Sequence, residues 1–234
     1  VLSLFGLFTA LIATTVSISA PAPASAESQP IFGLPFAEPP GPGTWLVGQV
    51  YGNSIGAFAR RREWYQAGQG IHFGIDFSTR CGTPVVSIGD GTVLKVDAPE
   101  HGSAPHNLLI AHDTPNGGYV SLYGHLLERP QLRVGDKVTR GQVVAQTGDP
   151  DLTCTSRPHL HLEIRNRPLN TAYNAHLLID ADWDALMLTG SFGRGFQRDL
   201  GDPRKWQTVY DQPDIRFGGP LINDFVNTWP QDWR

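Results

Sequence analysis

The stretch "GIHFGIDFSTRCGTPV", residues 70–85, sets a histidine and an aspartate four residues apart, His72 and Asp76, around Gly74. Imidazole and carboxylate are ordinary zinc ligands. On a regular strand, residues four apart share a face but lie about 13 Å from each other. One ion needs them far closer, so the chain has to bend between them, and Gly74 permits that bend. A helix would also bring them together, but "HFGIDF" is a poor helix. The bland alternative is a surface histidine beside an unrelated aspartate, so the pair needs partners elsewhere in the chain.

Two other settings offer them. In "RPHLHLEIR" the alternation puts His159 and His161 on one face, about 7 Å apart. That is too far for both to bind one ion without distortion. It suits one ligand plus one group contacting the ion's water, with Leu160 and Leu162 turned to the core. The third setting is His125 in "SLYGHL", at the end of a strand pattern. Three protein ligands leave one zinc position open for water. The sequence contains no H-E-x-x-H motif, the two-histidine zinc helix of one large class of metalloproteases. Tyr123, two residues before His125, is a candidate groove residue or hydrogen-bond donor to an intermediate, against a packing role. Asn53 in "YGNS" is a candidate substrate or zinc contact, against a turn residue. His112 in "LLIAHD" reads as structural. The run Arg60, Arg61, Arg62 could meet an anionic polymer, with a solvated loop as the default.

Positioning these residues falls to short strands. Gly 26 and Pro 19 in 234 residues favour turns and strands over long helices. Hydrophobic residues at 40% and charged residues at 17% are ordinary for a globular chain. A formal net charge of -4 gives no sign of a nucleic-acid partner. "TPVVSIGDGTVLKVDA" reads as two strands around Gly-Asp-Gly, and "HNLLIAHDTPNGGYVSLYGHL" as two more around Asn-Gly-Gly. No run of ten residues in this region has helical periodicity, so the centre is all-β. Residues 27–44 are Pro- and Gly-rich and read as a linker or extended arm. Beyond about His176, "IDADWDALMLTG" reads as one short helix with Asp180 at its N-cap and Gly190 as its stop. The remainder is aromatic but irregular and is expected to pack on the β domain.

The N-terminal "VLSLFGLFTALIATTVSISA" is apolar and uncharged and leads into Ala24-Ser25-Ala26. This is the pattern of a secretory signal peptide over residues 1–26, cut after Ala26. No Lys or Arg precedes Arg60, so the basic n-region is missing. The true start then lies upstream, or Val1 is an alternative start codon read literally. A retained membrane anchor is the rival reading. Export permits a disulfide between Cys81 and Cys154. They stand 73 residues apart, a loop whose closure is worth about 4 kcal/mol on the chain-entropy account. Free thiols or metal ligation are the alternatives, the latter weakened by the lack of C-x-x-C.

"HFGIDF", "LYGHL" and "PHLHLEI", in that order, resemble the signature segments of the lysostaphin-type (LytM-like) zinc endopeptidases of bacterial cell walls. "GTPVVSIGDGTV" and "LRVGDKVTRGQVVAQTGD" between them are similar too, and the likeness covers about residues 45–165. It implies a compact antiparallel β-sandwich with the site in a groove, as a zinc peptidase domain over residues 45–176. The C-terminal extension, 177–234, lies outside it. His72, Asp76 and His161 would bind one Zn2+, and His125 and His159 would be the catalytic pair. The substrate implied is peptide bonds in peptidoglycan stems or cross-bridges. The localisation implied is secreted, periplasmic or cell-envelope, with no stable membrane partner once the leader is cut. Some relatives have lost ligands and only activate other wall hydrolases. A non-catalytic module and a secreted peptidase acting on proteins are therefore the rival readings; all five site residues are present here.

Overall fold

The computed structural model describes residues 30–115, 117–189, 197–198 and 205–224. Its strands are β1 (Trp45–Gln49), β2 (Ile75–Thr79), β3 (Pro84–Val86), β4 (Gly91–Val96), β5 (His106–Thr114), β6 (Gly117–Leu126), β7 (Lys137–Val138), β8 (Val143–Gln146), β9 (His159–Asn166), β10 (Thr171–Tyr173), β11 (Gln197–Arg198), β12 (Trp206–Gln207) and β13 (Ile215–Arg216). Nine of them form one antiparallel sheet, ordered β1-β2-β9-β6-β5-β4-β7, with β10 on β9 and β13 on β10. β3 and β8 form a separate pair whose Val85 and Val144 join the same core as the large sheet. The all-β antiparallel expectation holds. The two strands around Gly-Asp-Gly also form, but β3 pairs with β8 and β4 with β5 and β7, so they are not partners.

Alternation decides what each face carries. On β9, Leu160, Leu162 and Ile164 enter the main core, as do Ile75 and Phe77 of β2 and Leu108 and Ile110 of β5. The residues between them point to the opposite face. There a smaller cluster, Leu109, Ala111, Val120 and Leu122, supports one end. The polar site occupies the other.

Of the two readings of residues 27–44, a linker or an extended arm, the described part from residue 30 onward follows the second, an arm laid on the core. Phe32 and Phe36 are buried in the main core. Phe32 N–H bonds Leu178 O, Gly33 N–H bonds Ile88 O, and Trp45 Nε1–H bonds Glu38 O at 2.7 Å. Proline and glycine give this arm its irregular path, but its phenylalanines have apolar surface to lose. Two short helices flank the sheet: α1 (Ile55–Arg60), which the sequence pattern did not announce, and α2 (Trp183–Thr189). Ser54 caps α1 by accepting from Ala57 N–H. Asp182, not Asp180, caps α2, accepting from Ala185 N–H at 3.0 Å. The backbone N–H of Asp180 is instead bound to Phe32 O. Gly190 and residues 1–26, the expected signal peptide, lie outside the described residues. Among the described residues no helix is long and apolar enough to cross a membrane.

Residues 205–224 pack against the β domain, as expected. Asn174 Nδ2–H bonds Val209 O and Gln212 O, and Ile215 is buried in the core. The basic run is more than a solvated loop: Arg61 and Arg62 both pair with Asp224.

Candidate active site

The ligand candidates converge because of strand register. Asp76 of β2 stands directly opposite His161 of β9. Since Ile75 and Phe77 are buried in the core, Asp76 points the other way, onto the face that carries His159 and His161. His72 lies just before β2, held to Gly52 by backbone hydrogen bonds of 2.8 and 3.0 Å. The chain bends at Gly74. Gly74 also makes room: a Cβ there would lie 2.7 Å from the His161 ring and from Leu162 O.

His72 Nε2, Asp76 Oδ1 and His161 Nδ1 meet at one point. The separations are 3.3 Å from His72 to Asp76, 3.3 Å from His72 to His161 and 2.7 Å from His161 to Asp76. Tetrahedral zinc with bonds of about 2.0–2.1 Å places its ligand atoms about 3.3 Å apart. The far nitrogen of each imidazole is engaged: His72 Nδ1–H donates to Val50 O at 2.9 Å, and His161 Nε2–H to Glu163 Oε1 at 3.2 Å. Those bonds fix the tautomers that leave the facing nitrogens as donors to a metal. The donor set fits zinc. Among the described residues it is the one cluster of three such groups.

The charges around it are strongly coupled. Burial opposes ionisation of Asp76, but the imidazoles of His72 and His159 and the hydrogen bonds from His161 and His72 together hold its carboxyl well below the usual range. Burial also opposes charge on His161, yet its bonds to Asp76 and Glu163 push it up to about 9. Metal binding must therefore displace a proton from His161. Glu163 is fully buried, and burial alone would raise its pKa; Arg165 and His161 instead hold it below the ordinary value. Arg165 grips it through Nε at 2.7 Å and Nη2 at 2.9 Å. Arg165 also donates to His101 O at 2.9 Å and lies 4.4 Å over the Phe217 ring. A buried carboxylate persists only with such partners.

His125 and His159 sit above this cluster, their rings 4.7 Å apart, with His125 5.9 Å from His161. Both are pinned by backbone carbonyls through Nδ1: His159 to Arg157 O at 2.7 Å, and His125 to Ala104 O. Each therefore presents Nε2 to the groove, and His159 Nε2 is 3.8 Å from Asp76 Oδ1. His125 adopts φ 57, the left-handed region, where a side chain other than glycine is uncommon and worth a functional question. Burial, then the nearby His161 and His159, push His125 down to about 4, so it is neutral at pH 7.

All five residues line one groove of about 960 Å³. One wall, the segment after β1, contributes Trp64 and Tyr65; the other, the loop before β9, contributes Ser156, Arg157 and Pro158. Tyr65 packs edge-on against His72 at 5.5 Å and donates to Gln49 Oε1 at 3.1 Å. Burial and the nearby Asp76 push its pKa up to about 12, so its hydroxyl keeps its proton. The Cys81–Cys154 disulfide is present, with a Cα–Cα distance of 5.7 Å, and ties the loop before β9 to the end of β2.

Two of the candidate residues do not face the groove. Tyr123 is fully buried in the main core, its hydroxyl accepting from Ile88 N–H at 2.9 Å. Asn53 is also fully buried, with its side-chain oxygen accepting from Asn223 Nδ2–H at 2.9 Å. It anchors the C-terminal segment. His112 is structural as expected, bridging Asp90 O and Ser121 Oγ, both at 2.8 Å.

Residues 70–174 match the family model described as Peptidase family M23. The chain is similar to the peptidoglycan DD-endopeptidase ShyB of Vibrio cholerae, 36% identical over 130 residues, covering 53% of this chain and 28% of that one. It is similar to the glycyl-glycine endopeptidase ALE-1 of Staphylococcus capitis, 29% identical over 151 residues, covering 63% and 39%. The chain thus spans well under half the length of these relatives. Among solved structures, the catalytic domain of lysostaphin from Staphylococcus simulans aligns at 26% identity with a TM-score of 0.39, covering 51% of this chain and 79% of that one.

Proposed function

We propose that the protein is an exported zinc endopeptidase that hydrolyses peptide bonds in peptidoglycan. The observation that carries this reading is the convergence of His72, Asp76 and His161 beneath two histidines whose Nε2 atoms face the same groove. The M23 match and the wall-cleaving relatives support the substrate class. His72, Asp76 and His161 would hold the ion, and Glu163, clamped by Arg165, orients His161. A bound zinc supplies Lewis-acid polarisation of the scissile carbonyl and lowers the pKa of water to about 7.

The chain's own groups handle the protons. His125 is neutral near pH 7, so its Nε2 suits acceptance of a proton from the attacking water. Nε2 of His159 faces the same space and suits stabilisation of the tetrahedral oxyanion or proton delivery to the leaving amine. Backbone carbonyls on both Nδ1 atoms keep the rings from turning away. The groove walls orient the peptide across this pair. The leader over residues 1–26 would carry the protein to the envelope or the medium.

The test is direct. The leaderless protein, loaded with zinc, is incubated with isolated peptidoglycan and with short wall peptides, with and without chelator. Chelator-sensitive release of new amino termini from either substrate supports the reading, and intact substrates with the fully loaded protein would reject it.

A further inference from the structure

The groove has an uneven charge. Among the described residues that line it, Arg157 is the one permanent cation, and Asp76 is the one carboxylate, already committed to the ligand cluster. The Arg157 guanidinium projects from the wall formed by the loop before β9. It lies 5.4 Å from the ring of Trp64 on the facing wall, and Arg60 covers Trp64 at 4.5 Å. An indole half exposed at the groove, with guanidinium groups against it, pre-orients a planar donor fork rather than leaving it to swing in solvent.

The pairing partner of Arg157 is weakly committed. Asp151 meets it at 3.3 Å and 3.5 Å, with both side chains about half exposed. Long, exposed pairs of that kind contribute little. Asp151 also has another partner in Ser156 Oγ, at 2.9 Å. A carboxylate arriving in the groove can therefore share or take the guanidinium at small cost. Position makes this specific. The carbonyl of Arg157 holds His159 Nδ1, so the cation and the catalytic histidine belong to one short, disulfide-tied segment.

Resting on the reading of the site as a wall peptidase, we propose that Arg157, backed by Trp64, is a specificity residue that binds a free carboxylate of the substrate peptide close to the scissile bond. The preferred substrate class is then an anionic stem peptide rather than an uncharged glycine chain. The guanidinium offers two parallel N–H donors, the geometry that carboxylates favour. The source is either a side-chain carboxylate or the peptide's C-terminus.

The experiment uses one synthetic stem peptide in three forms: free acid, amidated at the side chain, and amidated at the C-terminus. Binding is read by calorimetry with chelator present, and cleavage is read separately with zinc. The free acid should bind about tenfold more tightly than one of the amides, the scale of one charge-assisted hydrogen bond; whichever amide loses affinity identifies the source. The preference should collapse in Arg157→Gln and grow in Asp151→Asn, which frees the guanidinium. A merely structural Arg157–Asp151 pair would give no gain in Asp151→Asn. Equal binding of all three forms overturns the inference, as does a preference that survives Arg157→Gln. If the free acid binds preferentially but no form is cut by the loaded protein, the peptidase reading fails while the carboxylate site stands.

Discussion

Two pairs of imidazoles face the same groove and are held by different kinds of structure. At its floor, His72 and His161 are nearly inaccessible. One is fixed by a backbone carbonyl beside β1, and the other by the fully buried Glu163–Arg165 pair on its own strand. At its rim, His125 and His159 hang on carbonyls of two loops, at Ala104 and Arg157. The floor depends on sheet register, and shifting a strand by one residue would turn its ligands into the core. The rim depends on loop conformation, with left-handed backbone at His125 and a disulfide behind His159. Under the proposed function, metal retention and catalytic turnover should therefore be separable by mutation, since floor and rim are held by different parts of the fold.

The sharpest break is at the rim. His125→Ala and His159→Ala should each lower kcat by about 10²- to 10⁴-fold, the range for a lost acid–base group, while zinc content stays near the wild-type value. Steady-state kinetics on a wall peptide, paired with elemental analysis, checks both halves.

At the floor, Glu163→Gln keeps the shape but removes the charge that orients His161. Zinc affinity should fall about 10- to 100-fold, as for other groups that support a metal ligand, measured by competition with a chromophoric chelator. An unchanged affinity would place the orientation of His161 elsewhere.

Between floor and rim stands the disulfide. Replacing Cys81 and Cys154 with serine should destabilise the fold by about 2–5 kcal/mol, seen in denaturant unfolding. Because the bond restrains the loop that carries Arg157, kcat should fall more than zinc occupancy does.

The smallest expected effect lies outside both regions. His176 is buried, and burial with the nearby His72 pushes its pKa down to about 3. The unfolded chain takes up that proton below about 6.5, so the stability this neutral histidine contributes is full above that pH and is lost as pH falls toward about 3. His176→Gln can still accept the Tyr51 N–H bond and should flatten the fall in melting temperature between neutral pH and about pH 4.

The same contrast explains what could be read from the sequence. The floor is written in local patterns: a four-residue His–Asp spacing around a glycine and the alternation of "HLHLE". Glu163 lay within reach of that reading, since it continues the alternation two residues after His161. Tyr123 takes the packing role, the alternative to a groove role, for a reason specific to its strand. Two residues from His125 means the same face only if the strand stays regular, and the left-handed turn at His125 takes that side chain to the groove while Tyr123 stays in the core. Asn53 depends on Gln212 and Asn223, far away in the sequence, and no local signal announces such a contact. The arm over residues 30–44 was judged by its prolines, while Phe32 and Phe36 decide its burial. Trp64, Tyr65 and Arg157 belong to loops, whose meeting across a groove only the fold reveals.

The division of labour is tested most directly by zinc per chain in three proteins: wild type, His161→Ala and His159→Ala. About one zinc in the wild type and in His159→Ala, with little in His161→Ala, is the expected result. Equal loss in both variants, or zinc retained in both, would contradict the separation of a metal-holding floor from a proton-handling rim.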